Sequence, residues 1–294
     1  MKRVLITGAN SYIGTSFENW AQKAHPDAFF IHTVDMRDGR WASMDFSSYD
    51  CVFHVAGIAH SDTGRITAEK EKLYDQVNYQ LALETAKKAK KEGVKQFVLM
   101  SSIMVYGKSA SAGKQRLITK ETELDPENCY AASKLRADRG IQALADERFA
   151  SLSVRSPMVY GKGCKGNFPA LQAIVKRLPF FPDTDSQRSM IYIDDLCEFL
   201  CQMMLRGESG VVFPQNAEYA RIGDLARFIA AAQGKKIIVS RAFNWIPAVL
   251  CHFPGKIGKM TNKAFGGLCY AMEMSRYPFD YQVADLKTSV AESI

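Results

Sequence analysis

The chain contains no apolar stretch of the kind that a membrane span or an export signal requires. No segment approaches the ~18 uninterrupted apolar residues of a spanning helix. In the first ten residues, MKRVLITGAN, two basic residues are followed by only a few apolar ones. This apolar run is too short for the core of a signal peptide. We therefore expect no membrane span, no export and a cytoplasmic location.

Patterns typical of metal sites and disulfide frameworks are also absent. The seven cysteines are scattered, with no C-x-x-C pair and no histidine cluster. Cys197 and Cys201 share one helix face, but two thiols without further ligands do not make a metal site. This usage is typical of a reduced protein without a metal.

The excess of positive charge is small. Lys and Arg number 38 against 31 Asp and Glu, a formal net charge of +7, and part of it lies in KKAKKEGVK at 87–95. A solvated helix end explains that run better than nucleic-acid binding, because no aromatic interleaving or Arg-rich groove pattern accompanies it. A mild basic excess suits an anionic small substrate such as a nucleotide diphosphate.

The remaining composition is that of an ordinary globular protein, with 294 residues, 47% of them hydrophobic and 23% charged. Short apolar runs alternate with segments of helical periodicity in the first half. This alternation predicts an α/β fold, a doubly wound parallel sheet with helices on both faces. The predicted strands are Val4–Thr7, Phe29–Val34, Cys51–Val55, Phe97–Met100 and Leu152–Arg155, and the predicted helices are Tyr12–Ala24, Thr67–Lys91 and Pro126–Asp146.

The pattern becomes looser after about residue 160. We predict a dinucleotide-binding domain over 1–160 and a smaller α/β substrate domain mainly over 161–294, from which segments return to the first domain. The polar segment 107–125 is long for a connection, which predicts a functional loop or lid over the strand ends. Asp125 and Pro126 form a plausible cap and first residue for the helix that follows.

The first predicted strand runs into TGANSYIG and then a helix. Such a turn brings backbone N–H groups and a helix N-terminus against a pyrophosphate, and glycine permits the close approach. Ser11 stands where another glycine is usual, and a tight turn without a ligand is the alternative. We assign the turn to a dinucleotide through Gly8, Asn10, Ser11, Tyr12, Ile13 and Gly14.

Asp35 follows the second strand, 21 residues after Gly14. An acidic residue about 20 residues on hydrogen-bonds the ribose 2′-hydroxyl and repels a 2′-phosphate, which favours NAD. Arg37 could accommodate that phosphate, so NADP is not excluded. Asp45 and Phe46 lie where a carboxylate and a ring could grip an adenine, and an ordinary turn is equally compatible with them.

Tyr130 and Lys134 lie four residues apart on the predicted helix and therefore share one face. A tyrosine hydroxyl ordinarily titrates near pH 10, and a nearby cation lowers its pKa. The pair suits proton transfer in alcohol and ketone chemistry. Ser102 ends a strand of the sheet and would point into the ligand crevice, where it could hold a substrate oxygen. Ser101 fits a structural role.

TGANSYIG, VFHVAG at 52–57, MSSIMVYG, YAASK and RSPMVYG at 155–161 occur in this order. Together they resemble the extended short-chain dehydrogenase/reductases that act on nucleotide sugars, the NAD-dependent epimerase/dehydratase family. The match covers residue 3 to about residue 200. The resemblance implies a doubly wound NAD domain and a smaller sugar-nucleotide domain. A looser similarity of the tail, from PGKIGKM onward, is to UDP-N-acetyl-hexosamine 4-ketoreductases and epimerases.

The resemblance also implies roles for single residues. Tyr130 would be the acid and base, Lys134 would hold the nicotinamide ribose and lower the tyrosine pKa, and Ser102 would bind the reacting oxygen. Arg188 matches an arginine that contacts the nucleotide diphosphate, and guanidinium suits phosphate. A surface ion pair is the alternative for Arg188. The further matching positions are Ala56, Gly57, Asn78 and Pro157 near the cofactor and Asn167 near the substrate.

One departure from the family pattern separates its activities. Dehydratases of the family carry Asp-Glu directly after the hydroxyl residue, whereas this chain has Ile103 and Met104. Neither residue can move a proton, so a 4,6-dehydratase is disfavoured.

Three functional hypotheses follow. The first is an NAD-dependent epimerase acting at C4 of a UDP-type sugar. The second is an NAD(P)H-dependent reductase of a 4-keto-6-deoxy sugar nucleotide. The third is a non-catalytic NAD-binding regulator, which would not need Ser102, Tyr130 and Lys134 together. The resemblance further implies a homodimer formed through two helices that include the YAASK helix.

Overall fold

The computed structural model describes residues 1–59 and 67–294. The strands are β1 (Lys2–Thr7), β2 (Phe29–Val34), β3 (Cys51–His54), β4 (Gln96–Ser102), β5 (Leu117–Ile118), β6 (Ala150–Ser156), β7 (Met158–Tyr160), β8 (Phe180–Pro182), β9 (Gln187–Arg188), β10 (Met190–Tyr192), β11 (Gly210–Val212), β12 (Ala220–Arg221), β13 (Ile238–Ser240) and β14 (Cys269–Tyr270). The helices are α1 (Tyr12–Ala24), α2 (Ala68–Tyr74), α3 (Leu81–Lys91), α4 (Cys129–Gln142), α5 (Asn167–Arg177), α6 (Ile193–Arg206), α7 (Ile222–Ala232), α8 (Trp245–Leu250), α9 (Lys256–Phe265) and α10 (Leu286–Glu292).

Six parallel strands form the main sheet, in the order β2-β1-β3-β4-β6-β11. The direction of winding reverses between β1 and β3. In open sheets of this kind, ligands bind at the carboxyl ends of the strands beside such a reversal. The predicted doubly wound parallel sheet is therefore confirmed, and its reversal point lies directly above the glycine-bearing turn.

Both faces of the sheet are buried, because successive side chains of a strand point to opposite faces. Ile6 and Phe53 face α1 and α6 on one side, while Leu5, Val52 and Phe97 face α3 and α4 on the other. A sheet covered on both faces reads as continuous apolar runs, which is why the strand positions could be predicted from the sequence.

The connection from β2 to β3 has no α-helix. Residues 35–50 lead from β2 past β1 to β3 and contain one short 3-10 turn, Arg40–Ala42. They bury Trp41, Phe46 and Tyr49 in the core that α3 and α4 also cover. Three aromatic side chains thus replace the helix that usually covers this part of a parallel sheet.

The helix predicted over 67–91 is interrupted. Its middle, Asp75–Gln80, is π-helical and joins α2 to α3. The prediction that Asp125 caps the helix carrying Tyr130 is wrong. Asn128 is the cap, because its side-chain oxygen accepts the N–H of Ala131 at 2.8 Å, while the N–H of Asp125 donates to the Val105 carbonyl in the preceding loop.

The second half of the chain contributes to the main sheet and its covering helices, and it also forms a smaller part of its own. Helix α6 packs against α1, and β11 extends the main sheet beside β6. Two-stranded sheets β7–β10, β8–β13, β9–β12 and β5–β14 make up the smaller part. The division at 160 and 161 stays a prediction. Over the described ranges, no helix is both long and apolar enough to cross a membrane.

Candidate active site

The glycine-bearing turn is held between the ends of β2 and β3. The N–H groups of Gly8 and Ala9 both donate to the carbonyl of Val34, at 2.9 and 3.2 Å. Gly8 has a φ of +118°, and a Cβ there would lie 2.8 Å from the backbone nitrogen of Ala56. Only glycine fits this position, and Ala56 lies directly against the turn.

Ser11 occupies the place of the usual middle glycine and caps α1. Its hydroxyl accepts the N–H of Gly14 at 3.2 Å, and a Cβ on Gly14 would lie 2.5 Å from that oxygen. The other first-turn N–H groups, those of Tyr12 and Ile13, have no acceptor within the helix, as at every helix start. This positive helix end suits a pyrophosphate, so the residues present fit a dinucleotide.

The side chain of Tyr12 points away from the turn toward the second half of the chain. A Cβ on Gly161 would lie 2.7 Å from its hydroxyl oxygen, and burial raises the pKa of Tyr12. Within the described ranges this hydroxyl has no hydrogen-bond partner. Tyr12 therefore connects the turn to the RSPMVYG segment, where Pro157 is buried between β6 and β7.

Asp35 follows β2 directly and is paired with Arg37. The carboxylate accepts from the Arg37 backbone N–H at 2.9 Å and from its Nε at 3.0 Å. These hydrogen bonds lower the pKa of Asp35 to about 2. The guanidinium that could hold a 2′-phosphate is thus engaged with the carboxylate that would hold a 2′-hydroxyl.

The predicted adenine grip needs a correction. The ring of Phe46 is fully buried in the core under α3, with Lys88 Nζ 4.9 Å from its centroid. A ring without exposed surface cannot cover an adenine. Asp45 is exposed and accepts from the N–H and hydroxyl of Ser47, in the arrangement of an ordinary turn.

Asn78 lies in the π-helical segment and holds the loop after β3. Its amide oxygen accepts the N–H of Ile58 at 2.8 Å and its amide nitrogen donates to the Ile58 carbonyl at 3.0 Å. A Cβ on Gly57 would lie 3.0 Å from the Asn78 oxygen and 3.2 Å from Nζ of Lys134. Three residues predicted separately from the sequence therefore meet at one point.

Lys134 is buried, 7% exposed, and its ammonium group donates to the carbonyl of Met100 at 2.8 Å. Burial lowers its pKa to about 8. Within the described ranges no carboxylate lies within ion-pair distance of it, so its charge is available to another anion. Tyr130 is one turn earlier on α4, and its ring meets that of Tyr74 edge to face, with centroids 6.2 Å apart.

The two serines at the end of β4 have different surroundings. The hydroxyl of Ser101 donates to Asp138 at 3.1 Å, which agrees with the predicted structural role. The hydroxyl of Ser102 accepts the N–H of Met104 at 3.2 Å and keeps its own proton for another acceptor. Ile103 is buried in an apolar cluster against which Met104 packs. The two residues directly after Ser102 therefore supply no acid or base.

A buried ion pair beneath the site was missed by the sequence analysis. Asp138 accepts from Nε of Arg155 at 2.8 Å, and both residues are less than one tenth exposed. Arg155 also donates to the hydroxyl of Tyr106 at 2.7 Å. Asp138 follows Lys134 by four residues on α4, and this spacing is the one signal that could have found it. The pair ties α4 to β4 and β6.

His54 was also missed. It ends β3, is buried and shares a hydrogen bond of 2.7 Å between its Nδ1 and the hydroxyl of Thr7. Burial and the charge of Lys134 lower its pKa to about 3, so the imidazole is neutral. It links β1 to β3 at the level of Gly8.

Arg188 lies apart from these residues, at the end of β9. Its guanidinium donates to the carbonyls of Lys263 and Gly266, the latter at 2.8 Å, and burial lowers its pKa to about 10. Within the described ranges it has no carboxylate partner, which argues against a surface ion pair. Asn167 begins α5 and is partly buried. In the described ranges, no group of three or more His, Cys, Asp or Glu could hold a metal.

Comparison with known proteins identifies the family. The family model for the NAD dependent epimerase/dehydratase family matches residues 4–214. UDP-glucose 4-epimerase of Vibrio cholerae is 31% identical over 220 residues, which span 68% of this chain and 65% of that enzyme, less than two thirds of its length.

Solved structures share the fold over nearly the whole chain. A human epimerase family protein with NADPH superposes with a TM-score of 0.76 at 17% identity, covering 99% of this chain and 98% of that one. A dTDP-4-dehydrorhamnose reductase from Clostridium acetobutylicum gives a TM-score of 0.70 at 17% identity, covering 99% and 98%. The chain belongs to the NAD-dependent epimerase/dehydratase family, whose members are nucleotide-sugar epimerases, dehydratases and reductases that work with NAD or NADP.

Proposed function

We propose that this protein is a nucleotide-sugar 4-epimerase that uses NAD. The observation that carries the proposal is the buried Lys134 ammonium, without a carboxylate partner in the described ranges, one helical turn from Tyr130 and beside Gly57 and Asn78. A cation in that place stabilises a phenolate and the oxygens of a ribose at once.

The proton transfer is assigned to Tyr130. Its phenolate would take the proton of the sugar 4-hydroxyl and later return it, with the lysine charge holding the phenolate stable near neutral pH. Ser102, which has a hydroxyl proton to donate, would hold the same sugar oxygen. The N–H groups at the start of α1, Gly8, Ala56 and Asn78 would hold the dinucleotide. NAD, when bound, supplies the capacity to accept and donate a hydride.

Dehydration is disfavoured by the surroundings of Ser102. Elimination of water needs an acid and a base beside the sugar. Ile103 and Met104 pack in an apolar cluster, and the nearby carboxylate of Asp138 is bound to Arg155 and Ser101. The chain thus retains groups for proton and hydride exchange at one carbon.

The diphosphate of the substrate is assigned to Arg188 and Asn167. The guanidinium is held by two backbone carbonyls, which orient it without neutralising it. An oriented, uncompensated guanidinium is suited to bidentate contact with phosphate. The nucleotide base and the sugar of the substrate are to be identified by experiment.

A 4-ketoreductase is the second candidate, and the Asp35–Arg37 pair is the observation that favours it. The Arg37 side chain is 82% exposed, so it could turn from Asp35 to a 2′-phosphate and admit NADPH. Reduction would use the same Tyr130 as the proton donor.

The decisive experiment compares two assays on the purified protein. Conversion of a UDP-hexose to its 4-epimer with no net change in nicotinamide absorbance supports epimerisation. Stoichiometric consumption of NAD(P)H with a 4-keto-6-deoxy sugar nucleotide would show that the reaction is a reduction and not an epimerisation. Tyr130→Phe is expected to lower kcat by roughly 10²–10⁴-fold in the active assay while dinucleotide binding persists. Unchanged kcat in this variant would remove the catalytic assignment, and no activity in either assay would favour a non-catalytic regulator.

A homodimer formed through α4 and a second helix is part of the proposal. Light scattering of the purified protein tests it, and a mass of 32.8 kDa would show a monomer instead.

A further inference from the structure

The positive charge of this chain is concentrated in one segment. Residues 225–272 contain seven Lys and Arg and no Asp or Glu. The whole chain has 38 basic and 31 acidic residues, so the rest of the chain has 31 of each and is balanced. One segment of 48 residues therefore carries the entire formal net charge of +7.

The same segment exposes large apolar side chains. Trp245 is 64% exposed and Met260 67%, and Val249, Phe253 and Ile257 are each about half exposed. Val249 and Phe253 line a common surface cleft with His252 and Pro254. We call the five apolar residues the α8–α9 face. Several large apolar side chains exposed on one helix pair indicate a candidate interaction site.

The α8–α9 face is built on a braced pair of helices. A Cβ on Gly258 would lie 2.2 Å from the carbonyl oxygen of Phe253, so α9 packs tightly on the turn after α8. The amide nitrogen of Asn262 donates to the Cys251 carbonyl at 3.2 Å. Gly258 and Thr261 point inward while Ile257 and Met260 point outward.

The lysines beside the face are uncompensated. Lys259 and Lys263 are exposed on α9, and within the described ranges no carboxylate lies within ion-pair distance of either. The other arginines of the segment, by contrast, are paired: Arg241 with Asp185 at 3.0 Å and Arg227 with Asp183 at 2.9 Å. Lys235 is bound to backbone carbonyls, and Lys236 is exposed before β13. The two uncompensated lysines of α9 lie beside the exposed apolar side chains.

We propose that the α8–α9 face docks this protein on the surface of a bilayer that contains anionic phospholipid. Exposed aromatic and aliphatic side chains with lysines at their edge are the composition of a helix that lies in a membrane interface. Anionic headgroups attract such lysines from within a Debye length. A second copy of this chain fits less well, because a two-fold contact would place identical uncompensated lysines against one another.

Helix α9 also connects the face to the proposed substrate site. The Arg188 guanidinium donates to the carbonyl of Lys263 in the last turn of α9 and to that of Gly266 directly after it. The side-chain oxygen of Asn262 accepts the N–H of Ala112 at 2.8 Å, in the segment predicted to be a lid. Docking would therefore engage the helix that supports both. The docking inference itself does not depend on which reaction the site performs.

Sedimentation of the full-length protein with vesicles tests the proposal. Vesicles of phosphatidylcholine alone are compared with vesicles that also contain phosphatidylglycerol, at low and high salt. We expect binding only to the anionic vesicles, weakened by salt. The variant K259E/K263E should lower the partition coefficient by at least about tenfold. Its matched control is K87E/K91E, an exposed lysine pair of the same spacing on α3, which should bind like the wild type.

The apolar contribution has its own variants. I257E/M260E should abolish binding, and L205E, an exposed leucine on α6, should not. Quenching of Trp245 fluorescence by brominated phospholipid reports insertion directly. Trp41 is buried, and Trp20 is partly buried on α1 and bound to Glu198, so W245F should remove the lipid-dependent quenching. Quenching that persists in W245F would count against docking through this face. Circular dichroism of each variant verifies that it is folded.

Four results would overturn the proposal. Equal binding to neutral and anionic vesicles would remove the role of the lysines. Equal loss in K259E/K263E and K87E/K91E would reduce the effect to net charge. Concentration-dependent dimerisation that I257E/M260E abolishes, without vesicle binding by the wild type, would assign the face to a second copy. Capture of an acidic protein without vesicle binding would assign it to that partner.

Discussion

Replacing Lys134 by Met should stabilise the folded protein near neutral pH while it destroys activity. Methionine has a similar length and keeps the space filled, but it removes a charge that is held in the interior with one hydrogen bond, to the Met100 carbonyl. Functional sites retain such unfavourable groups because the chemistry requires them.

The magnitude follows from the pKa. Burial lowers the pKa of Lys134 from 10.5 to about 8. This corresponds to roughly 3 kcal/mol against the charged form, since each tenfold change in protonation is worth about 1.4 kcal/mol. Loss of the hydrogen bond to Met100 offsets about 1.5–2 kcal/mol of that. The net gain expected for Lys134→Met at pH 7 is therefore about 1 kcal/mol.

The dependence on pH gives the sharper test. The pKa of Lys134 is lower in the folded chain than in the unfolded one, so between about pH 8 and 10.4 the unfolded chain binds more protons. The free energy of unfolding of the wild type therefore increases relative to that of the variant as the pH rises through this interval. We expect the advantage of Lys134→Met to disappear or reverse by about pH 10, a change of roughly 2–3 kcal/mol.

Urea unfolding of the dinucleotide-free proteins at a series of pH values provides the measurement. The difference between two variants cancels the other groups that titrate in this range. Lys91→Met removes an exposed lysine on α3 and serves as the control, with a difference from the wild type that is small at every pH. A Lys134→Met protein that is less stable than the wild type at pH 7, by an amount that does not vary with pH, would refute the reasoning.

Three further predictions concern carboxylates. Asp35→Ser should release Arg37 and raise the ratio of NADP to NAD affinity by about tenfold, the worth of one charge-assisted hydrogen bond; an unchanged ratio in dinucleotide titrations would show that Arg37 does not reach the ribose. Burial raises the pKa of Asp195 to about 7, above its unfolded value, so its carboxylate weakens the fold increasingly from about pH 4 to pH 7. Asp195→Asn keeps an acceptor for the Val283 N–H and should raise Tm by several degrees at pH 8 but little at pH 4; equal shifts at both would contradict this. Asp138→Ala should lower the free energy of unfolding by about 3–5 kcal/mol, because it leaves Arg155 buried without its partner, and a loss below about 1 kcal/mol would show that Arg155 finds another acceptor.

Local patterns determined much of the fold. The bounds of β2 were predicted as they are observed, although β2 is an edge strand of which only Phe29 is buried. The start of α4 was not, since Asp125 was predicted as the cap and Asn128, three residues later, is the observed one. Which of them caps the helix depends on the loop before it, where Asp125 is bound to Val105.

Some features of the candidate site could also be predicted from the sequence, and others could not. The spacing of Tyr130 and Lys134 places both on one helix face, so the sequence predicts that they belong to one site. Sequence could not determine that Phe46 is a core residue, because burial depends on α3 packing above it. Nor could it reveal the pair of Asp138 and Arg155, whose positions lie 17 residues apart and meet only when α4 packs on β6.

By itself, the sequence predicted the parallel sheet from its periodicity and the family from the order of its motifs, and both are confirmed. That Ser102, Tyr130 and Lys134 form the catalytic group stays a prediction. The tertiary structure decided which charges are neutralised and which remain free. Lys134 and Arg188 lack carboxylate partners in the described ranges, whereas Arg155 has one and Arg37 is held by Asp35. The physical reason is that ion pairing and desolvation depend on distances across the fold, which spacing along the chain does not contain.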